Sequence, residues 1–157
     1  YIVLCHGLVP TTREEIEERV YHWRQEGNLP STVCRKGKPS RTRLKVVAQC
    51  GRGEELFSLV AIRIRTGRRH QIRTHTAHIG HPTVCDGKYT DAATFLHDRE
   101  WCERNFLHRY RLAFEDRAGA EHEATAPLPG DLSDALEGLR PLSEGSAEAM
   151  AAWRSGA

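Results

Sequence analysis

Between Phe57 and Gly80 the apolar residues change their spacing from every second position to a helical period, and the change falls at Gly67. Upstream, Val60, Ile62 and Ile64 alternate with Ala61, Arg63 and Arg65, the pattern of a strand. Downstream, a helix is expected from about Arg69 to Gly80, with Pro82 beyond it as a stop. A strand feeding a helix through a glycine turn restricts the chain to folds that mix α and β. The same junction gathers Arg63, Arg65, Arg68, Arg69 and Arg73 with no acid among them. Guanidinium forks match phosphate oxygens and keep their charge, and a helix N-terminus adds N–H donors and a favourable dipole. The competing explanation is a helix whose arginines merely pair with acids elsewhere, a weak arrangement on a surface.

A net charge of +2 hides a strong asymmetry. From Val33 to His81 there are twelve bases and two acids, a balance of +10; from Glu115 onward nine acids face three arginines, a balance of −6. A basic middle of this kind favours a nucleic acid as partner, against the alternative of a solvated basic face. With 157 residues, 39% hydrophobic and 28% charged, the chain can bury one core and is not disordered. No apolar run approaches a bilayer span, so no membrane partner is expected. Five scattered cysteines without a C-x-x-C pair argue against a disulfide framework or zinc ribbon. They suit a reducing interior, cytoplasm or organelle. The chain starts at Tyr1 without an initiator Met, so a leader is not excluded.

Other elements follow from pattern. Tyr1 to Cys5 reads as a buried strand ended by Gly7, and Arg41 to Val46 as a strand with one wet, positive face. Thr12 and Glu15 form a capping-box pattern, and Ile16, Val20 and Trp23 follow at helical spacing until Gly27 and Pro30. Phe106, His108, Tyr110, Leu112 and Phe114 alternate as one strand, and Asp131 is the expected N-cap of a helix buried through Leu132, Leu136 and Leu139. Residues 143–157 read as a loose helix or disordered tail.

His70, His75, His78 and His81 tempt a metal assignment, but their gaps of five, three and three do not give the i, i+4 pair of a zinc helix. No metal is expected, and metal-dependent hydrolysis is the weaker reading. There is no nucleophile elbow and no phosphate-cradling P-loop.

The wording around Arg68 resembles the RluA-type family of pseudouridine synthases. The matching segments are Thr66-Gly67-Arg68-Arg69-His70-Gln71-Ile72-Arg73-Thr74-His75, Ile79-Gly80-His81-Pro82, Asp86-Gly87-Lys88-Tyr89, Leu107-His108-Arg109 and Ala126-Pro127-Leu128-Pro129. Upstream, Gly37-Lys38-Pro39-Ser40-Arg41-Thr42 and the Tyr1–Gly7 strand resemble further family segments, in the same order. The resemblance implies an α+β fold, a mixed, mainly antiparallel sheet flanked by helices, with residues 1–142 as the C-terminal part of the catalytic domain. It implies a cofactor-free isomerisation of uridine to pseudouridine in rRNA or tRNA. Tyr1 is then the platform for the flipped base and Arg73 the cation that orients a catalytic aspartate. Arg63, Arg65, Arg68, Arg69, His70, Gln71, Lys38 and Arg41 would lie toward the RNA.

The family's aspartate stands in an H-R-L-D element that these residues lack. Arg73 is therefore expected to pair with an aspartate from outside the chain, and the chain alone to be inactive. Asp86 belongs to another element. Arg69 for Thr or Ser, Cys85 for Gly and Arg109 for Ala are smaller departures. The alternative is a non-catalytic RNA-binding protein on the same scaffold. Oligomeric state is left open.

Overall fold

The computed structural model describes residues 1–23 and 29–156. The elements are β1 (Ile2–His6), β2 (Glu15–Tyr21), β3 (Thr32–Val33), β4 (Lys38–Arg52), β5 (Glu55–Ile64), α1 (Gln71–His78), α2 (Ala92–Arg99), β6 (Leu107–His108), β7 (Arg111–Glu115), β8 (Glu121–Thr125), α3 (Gly130–Glu137), β9 (Arg140–Pro141) and α4 (Glu144–Ser155). Seven strands form one sheet in the order β3-β2-β4-β5-β1-β6, with β9 pairing with β4. This is the expected α+β fold on a mainly antiparallel sheet, and each ladder of the sheet runs antiparallel.

The central strands explain why Tyr1 to Cys5 is apolar throughout. Successive side chains point to opposite faces, and here both faces are covered. Ile2 and Leu4 join a core with Phe57, Leu59, Leu132, Leu136 and Met150, beneath α3 and α4. Val3 and Cys5 join Val60, Ile62, Leu44 and Ile72 on the other face, beneath α1. β4 and β5 are joined by the two-residue turn Gly53-Glu54, where Gly53 supplies φ 57°, the left-handed geometry that short hairpins require.

Three expectations are corrected. Ile16 and Val20 lie on a strand, β2, and not a helix. A spacing of four is even, so it satisfies the strand period as well as the helical one; the ladder with β4 decides. Trp23 lies beyond the strand, 43% exposed, and Gly27 lies outside the described residues. The run from Phe106 to Phe114 is two strands: β6 pairs with β1, while β7 leaves the main sheet and forms a separate ribbon with β8. Asp131 is two residues inside its helix, whose N-cap is Pro129, and its carboxylate holds Arg104 at 2.5 Å. Of the two readings of the last stretch, the structure has the helix: residues 144–155 form an α-helix capped by Ser143 that buries Met150. Among the described residues no helix is long and apolar enough to cross a membrane.

Candidate nucleic-acid interface

β6 adds Leu107 and His108 to the edge of β1, so the next residue, Arg109, lands beside Tyr1. The end of β5 approaches from the other side, because Ile62 N donates to Tyr1 O at 2.8 Å. A cleft of about 610 Å³ opens between them. Tyr1 and Tyr110 contribute aromatic surface, Ile62, Ile64 and Leu112 apolar wall, and Arg63, Arg65, Arg109 and Arg111 cationic rim. Among the described residues no carboxylate lines it. Arg111 holds Glu123 at 2.5 Å across the β7–β8 ribbon, while Arg63 and Arg65 have no carboxylate partner among the described residues. Four guanidinia on one rim repel one another unless an anion sits between them.

Beside the cleft, Arg43 of β4 lies directly opposite Arg63 of β5, and Arg41, Arg43, Arg63 and Arg65 line a second, smaller recess. This positive face is partly countered in space by a strand the charge count did not include. Glu15 of β2 holds Arg41 at 2.6 Å and reaches Arg43 at 3.5 Å, and the Arg41 bond lowers the Glu15 carboxyl pKa. Arg41 is thus shared between β2 and any ligand. Lys38 stands exposed at the start of β4, opposite Val20.

The Thr66–His75 run divides by role. Gln71 is 2% exposed; its amide donates to Arg41 O at 3.0 Å and Thr42 Oγ1 at 3.1 Å, and its Oε1 accepts from Arg68 N at 3.1 Å. It pins α1 to β4 and cannot face RNA, which corrects its place in the expected set. Arg69 is exposed and contacts His22 Nε2 at 3.0 Å. Arg68 is half-buried, and its Nε has no hydrogen-bond partner among the described residues. His70 takes φ 57° at the N-cap of α1 and meets Tyr89 Oη through Nδ1 at 3.2 Å. Burial, then the fields of Arg73, Lys88 and Arg69, push its pKa down to about 4, so it is neutral at neutral pH.

Arg73 is not where the aspartate argument put it. Its Nε donates to Asp86 Oδ2 at 2.6 Å and its Nη2 to Asp86 Oδ1, and its guanidinium lies over the Tyr89 ring at 5.1 Å. Its carboxylate partner lies within the chain, because the turn after Pro82 brings Asp86 beneath α1. Asp86 is buried and also accepts from Thr83 Oγ1 and Lys88 N, both at 3.1 Å. Tyr89 completes the clamp through Thr74 Oγ1 at 2.9 Å and Ser31 O at 3.1 Å. Burial opposes the arginine's charge, but the bonds and field of Asp86 outweigh it, so the pKa lies above the ordinary arginine value. Arg73 does not line the Tyr1 cleft.

The histidines disperse. His75 is fully buried between Thr42 Oγ1 at 2.9 Å and Glu18 O at 3.3 Å, and burial lowers its pKa. His81 Nδ1 meets His6 O at 2.9 Å, and His78 faces Glu18 at 3.8 Å. Among the described residues no three His, Cys, Asp or Glu side chains are grouped to hold a metal.

Arg109 and Arg111 were outside the expected set, although Arg109, standing where the family has Ala, was a visible signal. His6 and Asp98 were missed altogether. They pair at 2.9 Å, His6 partly exposed and Asp98 buried, with Asp98 also accepting from Cys85 N at 2.6 Å, and no sequence pattern joins residues that far apart.

Comparison with known proteins agrees with this geometry. The family profile described as RNA pseudouridylate synthase matches residues 1–78. An uncharacterized RNA pseudouridine synthase of Chloroflexus aurantiacus is 37% identical over 113 residues, covering 71% of this chain and 33% of that protein. Ribosomal large subunit pseudouridine synthase C of Haemophilus ducreyi is 37% identical over 121 residues, covering 74% of this chain and 36% of its own length. The chain thus spans about a third of the curated relatives it matches. Among solved structures, human RNA pseudouridylate synthase domain containing 1 superposes with a TM-score of 0.73 over 98% of this chain and 64% of that one. At 24% identity this speaks to the fold. With the ordered segments from Tyr1 to Pro129 set on that fold, the chain belongs to the RNA pseudouridylate synthase family, among its RluA-type members.

Proposed function

We infer that the protein isomerises uridine to pseudouridine in structured RNA, ribosomal or transfer. The observation that carries this reading is the aromatic Tyr1 surface in a cleft rimmed by Arg63, Arg65, Arg109 and Arg111, with no acid among the described residues of its lining. A flipped base needs a flat platform and a closed pocket, and its flanking phosphates need cations. In the reaction the N1–C1′ bond of uridine breaks, a C5–C1′ bond forms, the C5 proton leaves to water and N1 gains a proton. That chemistry wants a carboxylate at the sugar or base.

Among the described residues no carboxylate lines the cleft, and the buried acids Asp86 and Asp98 are engaged by Arg73 and His6. The 157 residues by themselves therefore bind RNA without turning it over, as part of a catalytic domain whose H-R-L-D aspartate they do not contain. Tritium release from ribosomal and transfer RNA transcripts carrying [5-³H]uridine tests both statements. Release by the intact protein, and none by residues 1–157, is expected. RNA binding with steep salt dependence and no release by the intact protein would favour the non-catalytic alternative. The five free thiols, four of them buried, support a reducing compartment.

A further inference from the structure

Arg41 and Arg43 of β4, Arg63 of β5 and Arg65 just beyond it are all exposed, while Thr42, Leu44 and Ile62 between them are buried. The pleat therefore turns the four bases to one open face of the sheet, about 7 Å apart along a strand and about 5 Å across. Arg43 stands directly opposite Arg63, a like-charge pair that costs stability unless an anion lies between. The four guanidinium side chains enclose a recess of about 60 Å³, room for several water-sized atoms. Glu15 of β2 reaches it from one side, pairing with Arg41 at 2.6 Å and Arg43 at 3.5 Å, and both arginines stay more than half exposed. Glu17, opposite Arg41, adds only its field. Exposed ion pairs of this kind are weak, and a phosphate is a stronger, two-pronged acceptor. Arg63 and Arg65 also line the Tyr1 cleft, so the recess is continuous with it.

We propose that the recess is a second phosphate subsite, for the RNA backbone beside the target nucleotide, and that Glu15 is its internal placeholder, displaced when the strand arrives. The proposal rests on the reading of the neighbouring cleft as the RNA site. Without RNA, Glu15 offsets part of the charge on β4. A lone phosphate gains the recess only by breaking the Glu15 pair. A strand already held in the cleft brings its next phosphate at high local concentration. The placeholder thus selects a nucleotide within a strand over free phosphate.

The test titrates a short oligouridylate against the intact protein and against Glu15→Gln, Arg41→Gln, Arg43→Gln and the double replacement of Glu15 and Arg41, over a range of salt. Removing the placeholder should tighten binding about two- to fivefold, the worth of an exposed ion pair. Arg43→Gln should flatten the salt slope by about 0.7, one phosphate contact on a single strand. Arg41→Gln should cost more in the Glu15→Gln background than alone, because there no pair offsets its bond to RNA. At constant ionic strength, inorganic phosphate should compete with the oligomer better in Glu15→Gln than in the parent. Weaker binding by Glu15→Gln would overturn the proposal by making Glu15 a brace that aims the arginines. Unchanged affinity in Glu15→Gln with an unchanged slope in Arg43→Gln would overturn it by leaving the recess outside the RNA path. Polyglutamate of equal charge binding as tightly, with the same response to Arg43→Gln, would overturn it by assigning the face to an acidic protein. Tritium release separates the two readings: the expected affinities and slopes with no release by the intact protein uphold the recess and sink the isomerase.

Discussion

Replacing Arg73 by methionine keeps the aliphatic stem and removes the charge, leaving the Asp86 side chain, 0% exposed, without its cation. Breaking a buried ion pair by removing one partner costs about 3–5 kcal/mol. Bonds to Asp86 from Thr83 Oγ1 and Lys88 N survive, which places the expected loss near the lower end, about 3 kcal/mol. Asp86→Asn should cost less, about 1–2 kcal/mol, because the Arg73 side chain is 21% exposed and can turn to water. The double replacement Arg73→Met with Asp86→Leu buries no charge, so it should recover part of the sum and give a coupling of about 2 kcal/mol. Urea denaturation of residues 1–157 and the three variants reads these values as shifts in midpoint at constant slope. A domain holds only about 5–15 kcal/mol in all, so the Arg73→Met shift is large. A midpoint unchanged within about 0.5 kcal/mol, with turnover lost in the intact enzyme, would refute the reasoning. Arg73 would then serve the chemistry and its bond to Asp86 would be incidental.

His70 and His75 both have pKa values lowered in the fold, His70 to about 4. The unfolded chain therefore binds more protons between pH 6.5 and about 4, and stability is full above pH 6.5 and falls across that window. His70→Asn, which tolerates the left-handed backbone without titrating, should flatten the fall measured by urea midpoints, and an unaltered pH profile would count against it. Cys85, buried at φ 56°, carries strain that glycine relieves, whereas Cys102 is buried on ordinary backbone. Cys85→Gly should thus be about 1 kcal/mol less costly than Cys102→Gly in the same titration, and equal costs would remove the strain argument. Leu132→Ala, at 0% exposure between the sheet and α3, should lose about 2–5 kcal/mol, and a loss below 1 would mean that α3 is loosely packed.

Legibility in the sequence followed the range of the interactions. Val60, Ile62 and Ile64 announced β5 because alternation is local, and the stretch from Arg69 to Gly80 contained α1 for the same reason. Ile16 and Val20 misled because four residues is a whole number of periods in a strand and nearly one in a helix. Arg63 and Arg65 were visible as cleft residues by charge, but Gln71 was not visible as a pin, since its partners Arg41 and Thr42 lie thirty positions back and only the fold brings them near. Arg73 and Asp86 were both singled out in the sequence, Arg73 for a partner outside the chain, and their pairing with one another was not foreseen. Their pairing depends on the path of the turn between them, which no spacing rule encodes.

β1 sits between β5 and β6, with Ile2 pairing with Ala61 on one side and His108 on the other. β4 and β5, by contrast, close through a two-residue turn, an event of about 1–10 μs. The order of assembly follows: the β4–β5 hairpin forms first and β1 docks later, across a long closed loop. During synthesis Ile2 to Cys5, apolar on both faces, emerges well before its partner Phe57–Ala61. For that interval a strand that ends buried on both faces is an exposed, aggregation-prone segment of the nascent chain. Yield in expression should therefore depend on early events, improving with slow synthesis or with holdase chaperones more than with additives that stabilise the finished fold.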